Sequence, residues 1–159
     1  MAKVILICGR LCSGKSTYAG KLRKEQKAVI LSVDEVKLAI LDPYLGERHD
    51  EYADRTQKFL FDKSLDLIEA GVNVILDWGF WKKSARAAAA EFYKSRNIEC
   101  EFHYLDISDE VWKQRIEKRN NLVSSGSSDA YFVDENLAEK FESLFEKPDR
   151  NEINIWIEQ

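Results

Sequence analysis

The sequence predicts an α/β fold built on a mostly parallel β-sheet, and three observations support this. Short apolar runs alternate with longer amphipathic stretches along the chain, which is the pattern of successive βαβ units. Two of the runs, Lys3–Cys8 and Asn73–Asp77, are nearly continuous in Val, Ile and Leu, as expected for strands that helices cover on both faces. The chain has 159 residues, the length of one domain of ordinary size.

Five short segments have the length and composition of strands. They are Lys3–Cys8, Ala28–Val33, Asn73–Asp77, Glu101–Leu105 and Ile153–Ile157. The last two mix polar with apolar positions, so we expect them near an edge of the sheet.

Five helices are predicted between the strands. They are Lys15–Glu25, Asp50–Ala70, Lys82–Arg96, a helix from Ser108 to about Lys118, and a helix from Asp134 to about Leu144. Gly71 suits the C-terminus of the second helix, and Ser108 and Asp134 are residues that cap helix N-termini.

The residues between the first strand and the first helix match the phosphate-loop motif G-x-x-x-x-G-K-[ST]. Its glycines and the N-terminus of the following helix turn successive N–H groups toward an anion. We expect Lys15 to reach the β- and γ-phosphates, Ser16 to ligate Mg²⁺, and Thr17 to reach the α-phosphate. A strand precedes the motif and a helix follows it, so a chance glycine-rich turn is the weaker interpretation. The predicted nucleotide-binding residues of this loop are Gly9, Arg10, Leu11, Cys12, Ser13, Gly14, Lys15, Ser16 and Thr17.

Composition argues against several classes of protein. The formal net charge of −4 argues against a nucleic-acid partner. Three scattered cysteines without a CxxC pair argue against a disulfide framework and a structural zinc site. No apolar run approaches membrane-spanning length, and the N-terminal strand leads into the phosphate loop rather than resembling a signal peptide. We therefore expect a cytoplasmic protein with no membrane partner.

Two aspartates that follow apolar runs are candidates for the same site, because ligands bind at the carboxyl ends of parallel strands. Asp77 ends the third run and suits the residue that holds the metal; the alternative is a helix or turn cap. Asp34 follows the second run and is placed to accept the proton of an acceptor hydroxyl, or to orient that hydroxyl. The alternative for Asp34 is the N-cap of a short helix, and the two roles are compatible.

Two arginines of the fourth predicted helix are further candidates. Arg115 and Arg119 are one turn apart, so they share a helix face, and Trp112 and Ile116 form a neighbouring face that can pack on the sheet. The polar, unpatterned residues 120–129 follow, and we interpret residues 119–135 as a moving lid that brings the arginines to the transferring phosphoryl group. The alternatives are a plain surface loop and a solvated run of cations.

Two further groups lie after Asp77. The aromatic residues Trp78, Phe80 and Trp81 could stack on a base or sugar, although we expect Phe80 to be buried. The basic residues Lys82, Lys83 and Arg86 could hold an anionic acceptor or could form a solvated helix face.

Among proteins with a phosphate loop, a small kinase fits best. The sequence lacks the Asn-Lys-x-Asp motif of regulatory GTPases and the signature segment of ABC-type ATPases. The leading interpretation is an ATP-dependent, Mg²⁺-dependent phosphotransferase, a monomer or dimer, acting on a small-molecule or nucleotide-like acceptor with a hydroxyl group. The alternatives are a nucleotide-dependent regulatory or binding module and a polynucleotide 5′-hydroxyl kinase.

The chain resembles the small P-loop kinases related to gluconate kinase, chloramphenicol phosphotransferase, zeta-toxin kinases and the kinase domain of polynucleotide kinase. More narrowly, it resembles bacterial AAA-type ATP-binding proteins described as predicted kinases. The segments that carry the resemblance span nearly the whole chain and are 8–19, 31–35, 74–81, 115–120 and 145–148 with Glu152.

The resemblance implies a three-layer P-loop NTP hydrolase fold with strand order 2-3-1-4-5, a small helical lid, and phosphoryl transfer from ATP with Mg²⁺. It implies that Asp34 lies near the acceptor hydroxyl, and that residues 145–152 lie near the nucleotide base, with Arg150 as a contact. The chain departs from the family at residues 10–12, where many relatives carry small residues. Residues 41–52 match none of these enzymes clearly.

Overall fold

Five strands form one sheet in the computed structural model, which describes residues 1–41, 48–128, 130 and 132–159. All four neighbouring pairs are parallel, and the order β2-β3-β1-β4-β5 confirms the predicted 2-3-1-4-5. The strands are β1 Val4–Cys8, β2 Ala28–Leu31, β3 Asn73–Gly79, β4 Cys100–Asp106 and β5 Ile155–Glu158.

Helices connect these strands. They are α1 Lys15–Gln26, α2 Val33–Ile40, α3 His49–Glu69, α4 Lys83–Lys94, α5 Asp109–Ser124 and α6 Glu135–Leu144, with a short 3-10 helix at Arg150–Glu152. Asp134 caps α6 as predicted, because its Oδ1 accepts a hydrogen bond of 2.8 Å from the N–H of Leu137. In the described ranges, no helix is both long and apolar enough to span a lipid bilayer.

The central strand β1 divides the core into two layers. Its even-numbered side chains pack with Tyr93 of α4 on one face, and its odd-numbered side chains pack with Ala19 and Leu22 of α1 on the other. All five of its residues are buried, because alternate side chains point to opposite faces and helices cover both. The α/β/α sandwich therefore places the phosphate loop at the carboxyl end of its most buried strand.

The region around Asp34 differs from the prediction. We expected a strand through Val33 and considered Asp34 as an N-cap, but β2 ends at Leu31 and Ser32 is the N-cap of α2. The Ser32 hydroxyl accepts a hydrogen bond of 3.3 Å from the N–H of Glu35. Asp34 therefore lies in the first turn of α2, and its carboxylate is not the cap.

The end of α5 also differs from the prediction. The helix continues to Ser124 rather than ending near Lys118, so the unpatterned segment expected from Asn120 begins as helix. Trp112 and Ile116 form a third apolar cluster with Ile107 and Val133 instead of packing on the sheet. Polarity alone misplaced this boundary, because the polar residue Asn120 continues the helix and has its hydrogen-bond partner at Val133, beyond the segment in sequence.

Candidate active site

The loop between β1 and α1 has the backbone shape of an anion-binding nest. Cys12 and Gly14 have left-handed φ angles of 58° and 90°, and the N–H of Ser13 donates to the Arg10 carbonyl at 3.2 Å. Left-handed residues alternating with ordinary ones turn successive N–H groups to one side. The first N–H groups of α1 have no intrahelical partner, so they add donors and the positive end of the helix dipole.

Both invariant glycines of the motif have a steric reason to be glycine. A Cβ on Gly9 would lie 2.6 Å from the Ser13 Oγ and 3.3 Å from the Leu105 carbonyl oxygen. A Cβ on Gly14 would lie 3.2 Å from the Arg115 Nη1, on a backbone that already has a left-handed φ. Close packing from β4 and α5 therefore holds the loop in shape.

The Lys15 ammonium lies against this loop. Its Nζ donates to the Arg10 carbonyl at 2.7 Å. Burial lowers the pKa of Lys15, while the nearby Asp77 carboxylate opposes that shift. A partly desolvated ammonium interacts more strongly with an incoming phosphate than a fully hydrated one does.

Ser16 and Asp77 meet at the carboxyl edge of the sheet. The Ser16 hydroxyl donates to Asp77 Oδ2 at 2.8 Å, and Asp77 lies within β3, which continues to Gly79. Burial raises the pKa of Asp77, although the Ser16 hydrogen bond and the Lys15 charge oppose that shift. The carboxylate binds the loop instead of capping a helix or turn.

The Ser16 hydroxyl and the Asp77 carboxylate fit Mg²⁺, which prefers hard oxygen ligands. The described residues hold no group of three or more His, Cys, Asp or Glu side chains arranged for a metal. Mg²⁺ fits such a sparse donor set, because it is commonly held by one or two carboxylates together with waters and substrate phosphates.

Asp34 is exposed at the carboxyl end of β2, the strand next to β3. Burial is the largest influence on both neighbouring groups, lowering the pKa of Lys15 and raising the pKa of Asp77; the negative charge of Asp34 opposes the first shift and adds to the second. The fold therefore brings the three predicted charged residues Asp34, Lys15 and Asp77 to one edge.

The two arginines of α5 reach the outer side of the phosphate loop. Arg115 Nη1 donates to the Ser13 carbonyl at 2.8 Å and Nη2 donates to Gln159 Oε1 at 2.7 Å. One turn later, Arg119 Nη1 lies 3.8 Å from Cys12 Sγ. Both guanidiniums are therefore adjacent to the loop.

Trp81 supports the phosphate loop, a role that the sequence did not reveal. Trp81 Nε1 donates to the Gly9 carbonyl at 3.1 Å, and its ring meets the Phe141 ring edge-on at 5.2 Å. Trp78 Nε1 donates to the Leu31 carbonyl at 2.8 Å, and Phe80 is buried as predicted. Both indoles also pack on other aromatic rings, Trp78 on Phe61 and Phe80 and Trp81 on Phe141, which favours packing over stacking on a base or sugar.

Lys82 and Lys83 are exposed as a solvated helix face would be, but Arg86 departs from both interpretations of the basic group. It is only 2% exposed, so it is neither on a solvated face nor open to an anionic acceptor. Its guanidinium donates to Glu152 Oε2 at 2.8 Å and to the carbonyls of Phe80 and Glu146, both at 3.0 Å. It joins the end of β3 to the segment before β5.

Arg150 lies on the 3-10 helix before β5 and is exposed. Its Nη2 donates to Glu158 Oε1 at 3.1 Å, and its guanidinium stacks 4.0 Å from the centre of the Trp156 ring. Its contact with a nucleotide base stays a prediction.

Known structures share this fold. APS kinase CysC of Mycobacterium tuberculosis, in complex with AMPPNP and APS, is 16% identical, with a TM-score of 0.68 over 99% of this chain and 88% of that one. Chaetomium thermophilum Kti12 with ADP-AlF3 is 16% identical, with a TM-score of 0.69 over 98% and 88%. A chain of the Pnkp1/Rnl/Hen1 RNA repair complex is 21% identical, with a TM-score of 0.71 over 90% of this chain but 43% of that one.

Sequence comparison gives the family directly. No curated protein matches the chain. The family described as an AAA domain matches residues 4–148, which include the phosphate loop, Asp34, Asp77 and both arginines of α5. The chain therefore belongs to the AAA domain family and has the fold of the small P-loop kinases.

Proposed function

We propose that this protein is a phosphotransferase that moves the γ-phosphate of ATP to a hydroxyl group of a small-molecule acceptor, with Mg²⁺ as the metal. The observation that carries the proposal is the meeting of Lys15, Ser16 and Asp77 at one edge of the sheet, with Ser16 donating to Asp77 at 2.8 Å. APS kinase and Kti12, which share this fold, are in complex with AMPPNP and ADP-AlF3, and this supports nucleotide binding by this chain.

The donor half of the site holds the nucleotide. The N–H groups of the loop and the Lys15 ammonium bind the β- and γ-phosphate oxygens, while Ser16 and Asp77 hold the metal. A bound Mg²⁺ would neutralise charge on the same phosphate oxygens. Arg115 and Arg119 already lie beside the loop. The chain acts as a single domain in which residues 119–135 form a lid, and the two arginines supply further positive charge to the transferring phosphoryl group when the lid closes.

The acceptor half depends on Asp34. The acceptor oxygen attacks the γ-phosphorus, the bond between that phosphorus and the ADP oxygen breaks, and the acceptor proton passes to the Asp34 carboxylate. Asp34 is exposed, so an acceptor can reach it. We place this reaction in the cytoplasm, in keeping with the three free cysteines.

Thermal and urea unfolding with ATP–Mg²⁺ test the donor half. Nucleotide at a hundred times its Kd stabilises the fold by about 2.7 kcal/mol. Lys15→Ala should remove this stabilisation and leave the fold intact, because the loop keeps its shape but loses its ammonium. Lys21→Ala, an exposed lysine of the same helix, is the matched control. An unchanged shift in Lys15→Ala would refute the donor site.

Acceptor-dependent ADP formation tests the acceptor half, with a panel of small hydroxyl compounds and a 5′-hydroxyl oligonucleotide. Asp34→Asn should lower acceptor-dependent turnover by about a hundredfold or more while ATP binding is unchanged. Glu35→Gln, the exposed neighbour of Asp34, should behave like wild type. Background hydrolysis alone with every acceptor would overturn the kinase proposal in favour of a nucleotide-dependent binding module. Phosphorylation of the oligonucleotide alone would favour a polynucleotide kinase.

A further inference from the structure

Arg10 lies in the phosphate loop, yet its side chain points away from the phosphate site. It is 9% exposed, and its guanidinium donates to three groups outside the loop. These are the Ile107 carbonyl at 3.0 Å, Asp109 Oδ1 at 2.7 Å and the Glu142 carboxylate at 3.0 and 3.1 Å. The guanidinium also stacks 4.8 Å from the centre of the Trp112 ring. One side chain thus joins the loop to α5 and α6.

The main chain of Arg10 shapes the site itself. Its carbonyl accepts the Lys15 Nζ at 2.7 Å and the N–H of Ser13 at 3.2 Å. The position of this carbonyl therefore affects where the Lys15 ammonium rests and how the loop turns. Arg10 is a residue with a site-facing backbone and a side chain held by distant helices.

The attachment of the side chain is strong by ordinary criteria. Burial alone would lower the pKa of Arg10, but hydrogen bonds to Asp109 and Glu142 outweigh it and raise the pKa. Two carboxylates and one carbonyl share this guanidinium, and loss of both carboxylates would leave its buried charge with the Ile107 carbonyl alone. Lysine cannot replace this arrangement, because it lacks the planar fork that reaches several acceptors at fixed angles.

We propose that Arg10 is a positioning residue for the phosphate site, and that Glu142 tunes nucleotide affinity through it from α6, 132 residues away in sequence. The inference rests on the proposed function for its ligand, ATP–Mg²⁺. It assigns a role to the loop position where this chain departs from the small residues of many relatives. The simpler reading is an ion pair that contributes to stability alone.

Calorimetric measurement of the ATP–Mg²⁺ Kd separates the two readings, at a temperature where every variant is folded. Arg10→Met should weaken binding about tenfold or more, because a displaced loop carbonyl moves Lys15. Arg10→Lys should not rescue binding, and Glu142→Gln should weaken it by a smaller factor. The double variant Arg10→Met/Glu142→Gln should bind no more weakly than Arg10→Met, because both act through one contact.

A matched control comes from Arg96, which also stacks on an aromatic ring, 3.9 Å from the centre of Phe92, and donates to a carbonyl at 2.7 Å. Arg96→Met should bind ATP–Mg²⁺ like wild type. If Arg10→Met loses stability but keeps its Kd within about twofold of wild type, the residue is only structural and the inference is overturned. Additive effects of Arg10→Met and Glu142→Gln would overturn the role of Glu142.

The readout needs no acceptor, so it is independent of the kinase proposal. A wild-type chain that binds ATP–Mg²⁺ but phosphorylates nothing would sink the proposed function and leave the Arg10 result standing. Acceptor-dependent turnover in wild type, with an unchanged ATP Kd and KM in Arg10→Met, would support the proposed function and overturn the Arg10 inference.

Discussion

The side-chain amide of Asn120 binds both main-chain groups of Val133. Asn120 Nδ2 donates to the Val133 carbonyl at 2.6 Å, and Asn120 Oδ1 accepts the Val133 N–H at 2.8 Å. Val133 is buried in the apolar cluster with Trp112 and Ile116. The last turns of α5 are therefore tied to the residue just before the N-cap of α6, at the two ends of the proposed lid.

Asn120→Ala should lower the free energy of unfolding by about 2 kcal/mol, because two buried main-chain groups lose their partner. Urea unfolding measures this change. Asn121→Ala provides the control, since it removes an exposed amide one position further along the same helix. Equal stability of the two variants would show that the Asn120 contact contributes little. If residues 119–135 form a lid, Asn120→Ala should also speed hydrogen exchange in α6.

Local chemistry predicts some parts of this molecule better than others. The phosphate loop was predictable because its glycines, lysine and serine lie within nine residues and their spacing alone identifies an anion nest. Ser32 was missed as a cap because Leu31 and Val33 continue an apolar strand pattern around it. Ser32 could be assigned as the cap only from the position where β2 ends, at Leu31.

The buried arginines show why the rest could not be predicted. Arg86 lies in a basic run, and its distant partners, Glu152 and the Glu146 carbonyl 60 or more residues later, make it a core residue. The position of the Arg10 side chain depends on Glu142, which is 132 residues later in the sequence. Charge in a sequence signals exposure on average, and the exceptions depend on partners that the fold brings together.

Asp77→Asn should separate stability from metal binding. Burial raises the pKa of Asp77, so the folded chain holds this proton more tightly than the unfolded chain, and stability falls as pH rises through the raised pKa. Asparagine resembles the protonated acid and still accepts the Ser16 hydroxyl. The variant should therefore keep or gain stability without ligand at neutral pH.

Asp77→Asn should also abolish the dependence of ATP binding on Mg²⁺, because the metal needs the ionised carboxylate. In wild type, Mg²⁺-dependent binding should be lost as pH falls through the raised pKa of Asp77. Calorimetry with and without Mg²⁺ measures both effects. Asp54→Asn on α3 is an exposed control. A variant that keeps full Mg²⁺ dependence would contradict the assignment of Asp77 to the metal.

Arg86→Met should destabilise the protein by about 3–5 kcal/mol, because it leaves Glu152 and several main-chain carbonyls without their donor. Lys83→Met, three residues earlier, removes the exposed pair with Asp149 and should destabilise the protein far less, because solvent screens that pair. Urea unfolding compares them. Arg86→Met/Glu152→Gln should cost less than the sum of the single variants, since the double change leaves no unpaired charge. A small effect of Arg86→Met alone on the free energy of unfolding would contradict the structural role of the buried Arg86–Glu152 pair.

His103 should make stability depend on pH near neutrality. It is buried between Tyr18, whose hydroxyl lies 2.8 Å from Nδ1, and Glu101, 3.3 Å from Nε2. Burial lowers the pKa of His103 below 6.5; Glu101 opposes this shift, and the Lys3 charge adds to it. Below pH 6.5 the unfolded chain binds a proton that the folded chain binds less readily, so stability falls as pH drops from 6.5 to the lowered pKa.

Urea unfolding of wild type and His103→Gln between about pH 8 and pH 5 isolates this effect from the carboxylates that titrate in both. Wild type should lose up to about 1.4 kcal/mol more per pH unit inside the window, the value for one proton. The imidazole signals of His103 in NMR should titrate below pH 6.5 in the folded protein. A midpoint at or above 6.5, or equal slopes, would mean that Glu101 outweighs burial and that His103 is charged in the native core.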